Sequence, residues 1–167
     1  MSEEQLMKQR IQQCLRSERF LSMDQFIQHG NTTTLEHSIL VTYYSYRLNQ
    51  FLHLHSDISA LLTGALLHDY YLYDWHEKEA WHRWHGFRHP TFSLRQALID
   101  YELTKKEIDI IKKHMWPLTI IPPRYREAWI VCSVDKVSSL MEFIIQYRMF
   151  KRLETLWKIR ILQSFDI

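Results

Sequence analysis

Ala60-Leu61-Leu62-Thr63-Gly64-Ala65-Leu66-Leu67-His68-Asp69 is the stretch on which the reading of this chain turns. Its first eight residues carry no charge and are dominated by strong helix formers, so they read as a helix buried on all sides. That helix delivers His68 and Asp69 at its C-terminal end. Neighbouring side chains diverge by about 100° inside a straight helix and could not meet one ligand from there. At a helix end the backbone turns, and an adjacent imidazole and carboxylate can converge.

Outward from this stretch, composition bounds the fold. The chain has 167 residues, 46% of them hydrophobic and 24% charged, as in an ordinary globular protein with one core. With only 3 Gly and 4 Pro it favours long helices over turn-rich β structure. A formal charge of +2 gives no surface for coating a polyanion, so no nucleic-acid polymer is expected as a partner. Cys14 and Cys132 make no disulfide framework, and Cys132 in Trp129-Ile130-Val131-Cys132 reads as a small buried hydrophobe. Residues Met1 to Arg19 are polar and mixed in charge, unlike a signal peptide, and no run approaches the roughly 18 apolar residues that cross a bilayer. A cytoplasmic protein with no membrane partner is the expectation, with room for a homo-oligomer.

Helix-start chemistry recurs along the chain. Ser2-Glu3-Glu4-Gln5 has the form of a capping box, followed by Leu6, Ile11 and Leu15 on one face. Ser22-Met23-Asp24-Gln25 repeats the device before a short helix ending near His29-Gly30. Thr34 is placed to cap a long helix through about Leu52, with His37 in its first turns facing inward beside Leu40 and Val41. Ser56-Asp57 opens the central stretch. Tyr70 to Phe87 breaks the pattern with a concentration of aromatic and His residues, which reads either as a lid able to stack a flat group or as bulky cover for one mouth of a small bundle. Pro90 suits the first turn of the next helix, Thr104-Lys105-Lys106-Glu107 is a further capping box, and a last helical region runs from near Arg124 through Ile161. The sequence therefore predicts one all-α domain over 1–167, a helical bundle.

Metal sites need neutral imidazoles and ionised carboxylates held on rigid elements. His37, His68, Asp69, His89, His114 and Asp135 come from several different predicted helices, with His68 and Asp69 together at the end of one. Apart from the adjacent His68 and Asp69, successive members lie roughly 20–30 residues apart, enough for a helix and a connection that returns the chain to a common centre. Their order, H…HD…H…H…D, resembles the HD-domain metal-dependent phosphohydrolase superfamily, and the match from His37 to Asp135 covers well over half the chain. His89 followed by Pro90 is similar to a His-Pro pair of two-metal members.

The resemblance implies an HD-type helical domain with a motif-bearing core at about 30–145. It implies that His37, His68, Asp69 and Asp135 hold one divalent ion, that His89 and His114 hold a second, and that Asp69 bridges both and is the catalytic carboxylate. Such N/O ligation suits Fe, Mn, Ni, Co or Zn over Ca. A binuclear centre of this kind attracts phosphate and lowers the pKa of water enough to supply hydroxide near neutral pH. Lys136, Arg88 and Lys113, each beside a proposed ligand, are candidates for holding a phosphorylated substrate, with Lys136 favoured. His85, four residues before His89, is read as a substrate-side neighbour of the site more than as a ligand.

Cyclic-dinucleotide phosphodiesterases of the superfamily carry a lysine soon after the His-Asp pair and a later double histidine with a Gly-Tyr-Pro element. Here Tyr70-Tyr71-Leu72 follows Asp69 and Met115-Trp116-Pro117 follows His114, so the chain looks more like a small stand-alone bacterial HD hydrolase. The expected function is hydrolysis of a phosphate monoester or phosphodiester, with a nucleotide among the candidates. HD-type di-iron oxygenases share the ligand order and form the alternative. A non-catalytic metal-binding regulatory module is the second.

Overall fold

Side chains next to the backbone decide where most helices begin. The computed structural model of the protein describes residues 1–29, 31–74 and 84–146, and among these it is all-α apart from one two-stranded ribbon. Helix α1 (Glu3–Cys14) starts at the Ser2 capping box, where Gln5 N–H donates to Ser2 Oγ (3.2 Å) and Ser2 N–H to Gln5 Oε1 (2.8 Å). A short α2 (Glu18–Leu21) and a 3-10 turn (Ser22–Gln25) lead into the antiparallel ribbon β1 (Ile27–His29) and β2 (Thr32–Thr33). Then follow α3 (Thr34–Phe51), α4 (Ile58–Leu67), α5 (His85–Asp100), α6 (Lys105–Lys113) and α7 (Arg126–Gln146). Asp57 caps α4 through Ala60 N–H (3.1 Å), and the Thr104–Glu107 box caps α6.

Helix α4 is central. Residues Ala60 to Leu67 are all buried, and the helix packs against α1, α3, α5, α6 and α7. Leu62, Leu66 and Leu67 join Met7, Ile11, Phe20 and Ile39 in one cluster, whereas Leu61 and Ala65 join Val41, Ile110, Ala128 and Val131 in another. Each buried leucine contributes roughly 1.5–3 kcal/mol, which helps offset the desolvation of the polar pair that ends the helix. Crossing α6 requires Gly64: a Cβ there would lie 2.4 Å from Ile110 Cδ1 and 2.9 Å from its Cβ. No helix among the described residues is long and apolar enough to cross a membrane.

The structure departs from the sequence expectations at four places, each for a local reason. No α-helix runs from Ser22 to His29, only the 3-10 turn over Ser22–Gln25: Ser22 Oγ donates back to the Arg19 carbonyl (2.7 Å) instead of capping, and Asp24 accepts from Thr33 Oγ1 (2.9 Å). Phe26 turns extended (φ −109°, ψ 125°), and residues 27–29 form β1. Thr33, not Thr34, caps α3, in a reciprocal box with Glu36. Thr34 Oγ1 instead lies 3.1 Å from both Phe26 O and the Tyr71 hydroxyl. Helix α5 begins at His85, so Pro90 sits inside it and not in its first turn; the amide it lacks is the one that would reach the Gly86 carbonyl. Helix α7 begins at Arg126, because the Arg124 and Tyr125 amides donate to Asp109 Oδ2 (2.7 and 3.1 Å). The expected continuation to Ile161 lies outside the described residues, as do Trp75 to Arg83 of the aromatic stretch.

Candidate metal centre

Two helix ends build the middle of the site by the same device. His68 is the C-cap of α4 and His114 the C-cap of α6. The last turn of a helix leaves carbonyls without intrahelical partners. His68 Nδ1 takes that of Ala65 (2.7 Å) and His114 Nδ1 that of Ile111 (2.8 Å). A carbonyl only accepts, so Nδ1 carries the proton in both rings and Nε2 is turned the other way. Asp69, one residue beyond the α4 cap, brings its carboxylate to the same place, 3.4 Å from His68 Nε2. The first turns of α3 supply His37, α5 supplies His89 and α7 supplies Asp135. All six side chains are buried.

They form two groups that share Asp69: His37, His68, Asp69 and Asp135, and Asp69, His89 and His114. In the first, Asp69 Oδ2 lies 3.9 Å from His37 Nε2, and Asp135 Oδ1 lies 3.1 Å from His37 Nε2 and 3.7 Å from His68 Nε2. In the second, Asp69 Oδ1 lies 3.2 Å from His89 Nε2 and 3.4 Å from His114 Nε2, and the two ring nitrogens are 2.8 Å apart. The carboxylate of Asp69 thus gives one oxygen to each group.

Donors bound at about 2.0–2.2 Å to one ion stand roughly 3–3.5 Å from each other, close to these separations. His68 Nε2 and Asp69 Oδ1 are buried without a hydrogen-bond partner. Unsatisfied buried acceptors are costly, and a cation satisfies both. Donor chemistry, spacing and the two orphaned atoms all fit divalent metal ions held by buried His and Asp groups.

The electrostatics have the matching sign. Burial opposes ionisation of Asp69, but His68, His89 and His114 outweigh it and hold the carboxyl well below its usual range. Asp135 is likewise held low against burial by His37 and His68. Burial opposes protonation of His37, yet Glu142 and Asp135 raise it well above 6.5; Asp69 and Asp135 raise His68 in the same way. His114 goes down, with burial the main cause. The carboxylates thus favour positive charge beside His37 and His68, which is where cations would be held.

Gln28, Asp69, Gly86, His89, Met115, Pro117, Leu118, Asp135, Lys136 and Ser139 line a cleft of about 690 Å³ over the two groups, a size that suits a small molecule. Lys136 is on this wall, its ammonium donating to the carbonyls of His114 (2.8 Å) and Cys132 (3.3 Å). Lys113 Nζ lies 2.6 Å from Asp109 Oδ1 instead, and Arg88 is exposed on α5 and is not among the described lining residues. His85 opens α5, and its side chain is outside what is described. Tyr70 and Tyr71 are buried: Tyr70 donates to Asp100 (2.8 Å), and Tyr71 bonds to Gln28 beneath the site.

Two residues beyond those six touch the proposed ligands. Gln28 donates to Asp69 Oδ2 (2.7 Å) from β1, where the sequence predicts a helix, so helical periodicity does not mark it. Glu142 accepts from His37 Nδ1. Its signal was present, since it follows Asp135 by two helical turns on the same face of α7. Comparison with protein-family models, with curated proteins and with solved structures finds no match for this chain.

Proposed function

We propose that the chain is a metal-dependent phosphohydrolase of the HD type, acting on a small phosphate monoester or phosphodiester, with a nucleotide among the candidate substrates. The observation that carries this reading is the division of the Asp69 carboxylate between two buried His/Asp groups, Oδ2 toward one and Oδ1 toward the other. A carboxylate so placed suits a bridge between two cations. Two bound divalent ions would lower the pKa of water and neutralise charge developing on phosphorus oxygens.

The chain's own residues would hold and orient. His37, His68, Asp69 and Asp135 would hold one ion, and Asp69, His89 and His114 the other, from the two groups in which they are gathered. Lys136 lines the cleft with its ammonium fixed by the His114 and Cys132 carbonyls, so it would meet a phosphate as a positioned charge with little rotamer freedom left to lose. Gly86, Met115, Pro117 and Leu118 offer an apolar wall to the group that the phosphate esterifies. Buried walls around the ions strengthen every electrostatic contact there.

The test is metal analysis coupled to a phosphatase and phosphodiesterase screen with Mn, Co or Ni under anaerobic conditions. Turnover without dioxygen, lost in Asp69→Ala, supports hydrolysis. Dioxygen consumption by the Fe-loaded protein with no phosphate release would contradict it and favour the di-iron oxygenase. Metal binding with neither activity would favour a regulatory module.

A further inference from the structure

The ligand histidines are not supported alike. His68 and His114 turn Nδ1 to the backbone carbonyls of Ala65 and Ile111. His37 turns Nδ1 to a carboxylate, with Glu142 Oε1 at 3.1 Å and Oε2 at 3.2 Å. Glu142 is buried at 3% exposure, and burying a carboxylate without a partner is costly. Because it contacts the ring nitrogen opposite the one facing Asp69 and Asp135, it cannot ligate the same ion as His37 Nε2. Helix α7 therefore brings Asp135 to one side of the His37 ring and Glu142 to the other.

We propose that Glu142 is a positioning residue for the centre: it fixes the Nδ1–H tautomer of His37, aims Nε2 at Asp69 and Asp135, and makes the His37–His68–Asp69–Asp135 group the tighter of two cation sites. A hydrogen bond to a charged acceptor is about twice as strong as one to a neutral carbonyl. It also passes electron density through the imidazole and makes Nε2 the better donor. The first group has four members to the second group's three, and both differences favour the same site. Ions should therefore load in order, first beside His37 and then beside His89 and His114. The inference rests on the proposed reading that these groups bind divalent cations.

The test titrates the metal-free full chain with Co(II) against a competing chelator, with far-UV circular dichroism as the control for folding. Wild type is expected to show two affinities. Isosteric Glu142→Gln is expected to weaken the tighter one about 10–100-fold, shift the visible cobalt spectrum of that site, and leave the weaker site within about twofold. Glu142→Asp, which keeps the charge, is expected to recover part of the loss. If Glu142→Gln does not fold, Glu142→Asp decides by weakening the tighter site alone. A folded variant with both wild-type affinities, or an equal loss at both sites, overturns the proposal. Wild type that binds two ions while Glu142→Gln is unchanged overturns this inference only; wild type that binds none also removes the proposed function.

Discussion

Helix α4 has a polar cluster at each end, and the two are built on opposite logic. At its start, Lys106 Nζ stands 3.2 Å from Asp57 Oδ2 and 3.3 Å from Glu127 Oε1, while Glu127 also accepts from Asp57 N–H (2.7 Å). Cation meets anion, donors meet acceptors, and the Lys106 and Asp57 side chains are one-third or more exposed. That cluster ties α4 to α6 and α7 and is complete as it stands. At the other end, carboxylates meet imidazole nitrogens that are all buried, and His68 Nε2 and Asp69 Oδ1 have no hydrogen-bond partner. A cluster made only to join helices satisfies itself, as the first one does. The second reaches balance only by taking up positive charge, as protons or as metal ions.

The largest expected effect falls on the second cluster. Adding Mn or Co at about a hundred times the dissociation constant of the tighter site should stabilise the fold by about 2.7 kcal/mol through that site alone and raise the melting temperature by about 5–10 °C or more over the chelator-treated protein. Calorimetry with and without chelator checks this, and an unchanged transition would show the two ends of α4 to be alike. Next in size is Gly64→Ala, midway between the clusters. Its Cβ must displace Ile110, so a loss of about 1–3 kcal/mol in urea unfolding is expected. A neutral result would mean that α4 and α6 are not held at this distance.

The smallest effect belongs to the first cluster. Asp57→Ala removes the α4 cap and should cost about 1 kcal/mol with metal binding unchanged. The Asp57 carboxyl is held below its usual range, first by the Ala60 amide and further by Lys106. Its stabilisation is therefore present above pH 4 and lost as pH falls through the lowered value. The difference between wild type and variant should narrow on acidification, and a widening difference would reverse the sign.

The legible parts of this molecule were those set by neighbours in sequence. The boxes at Ser2 and Thr104 and the Asp57 cap lie within one turn of the amides they serve, so their spelling announces them. The six residues gathered in two buried groups are legible in their order along the chain and in the position of His68-Asp69 after an apolar helix. What escaped was decided across the fold. Ser22 could cap or bond backward, and the Asp24–Thr33 contact helps favour the turn and ribbon over a helix. Gln28 reaches Asp69 only because that ribbon lies beneath the α4 end. Lys113 stands beside His114 in sequence, yet its partner is Asp109, one turn back on the same face of α6.

Counting bound metal ions per chain, in wild type and in Asp69→Ala, is the most direct measurement. Because Asp69 gives one oxygen to each group, wild type should hold two divalent ions and the variant should lose both or bind them far more weakly, while Asp57→Ala keeps two. An Asp69→Ala protein that still holds two ions with wild-type affinity would contradict the shared carboxylate on which the centre depends.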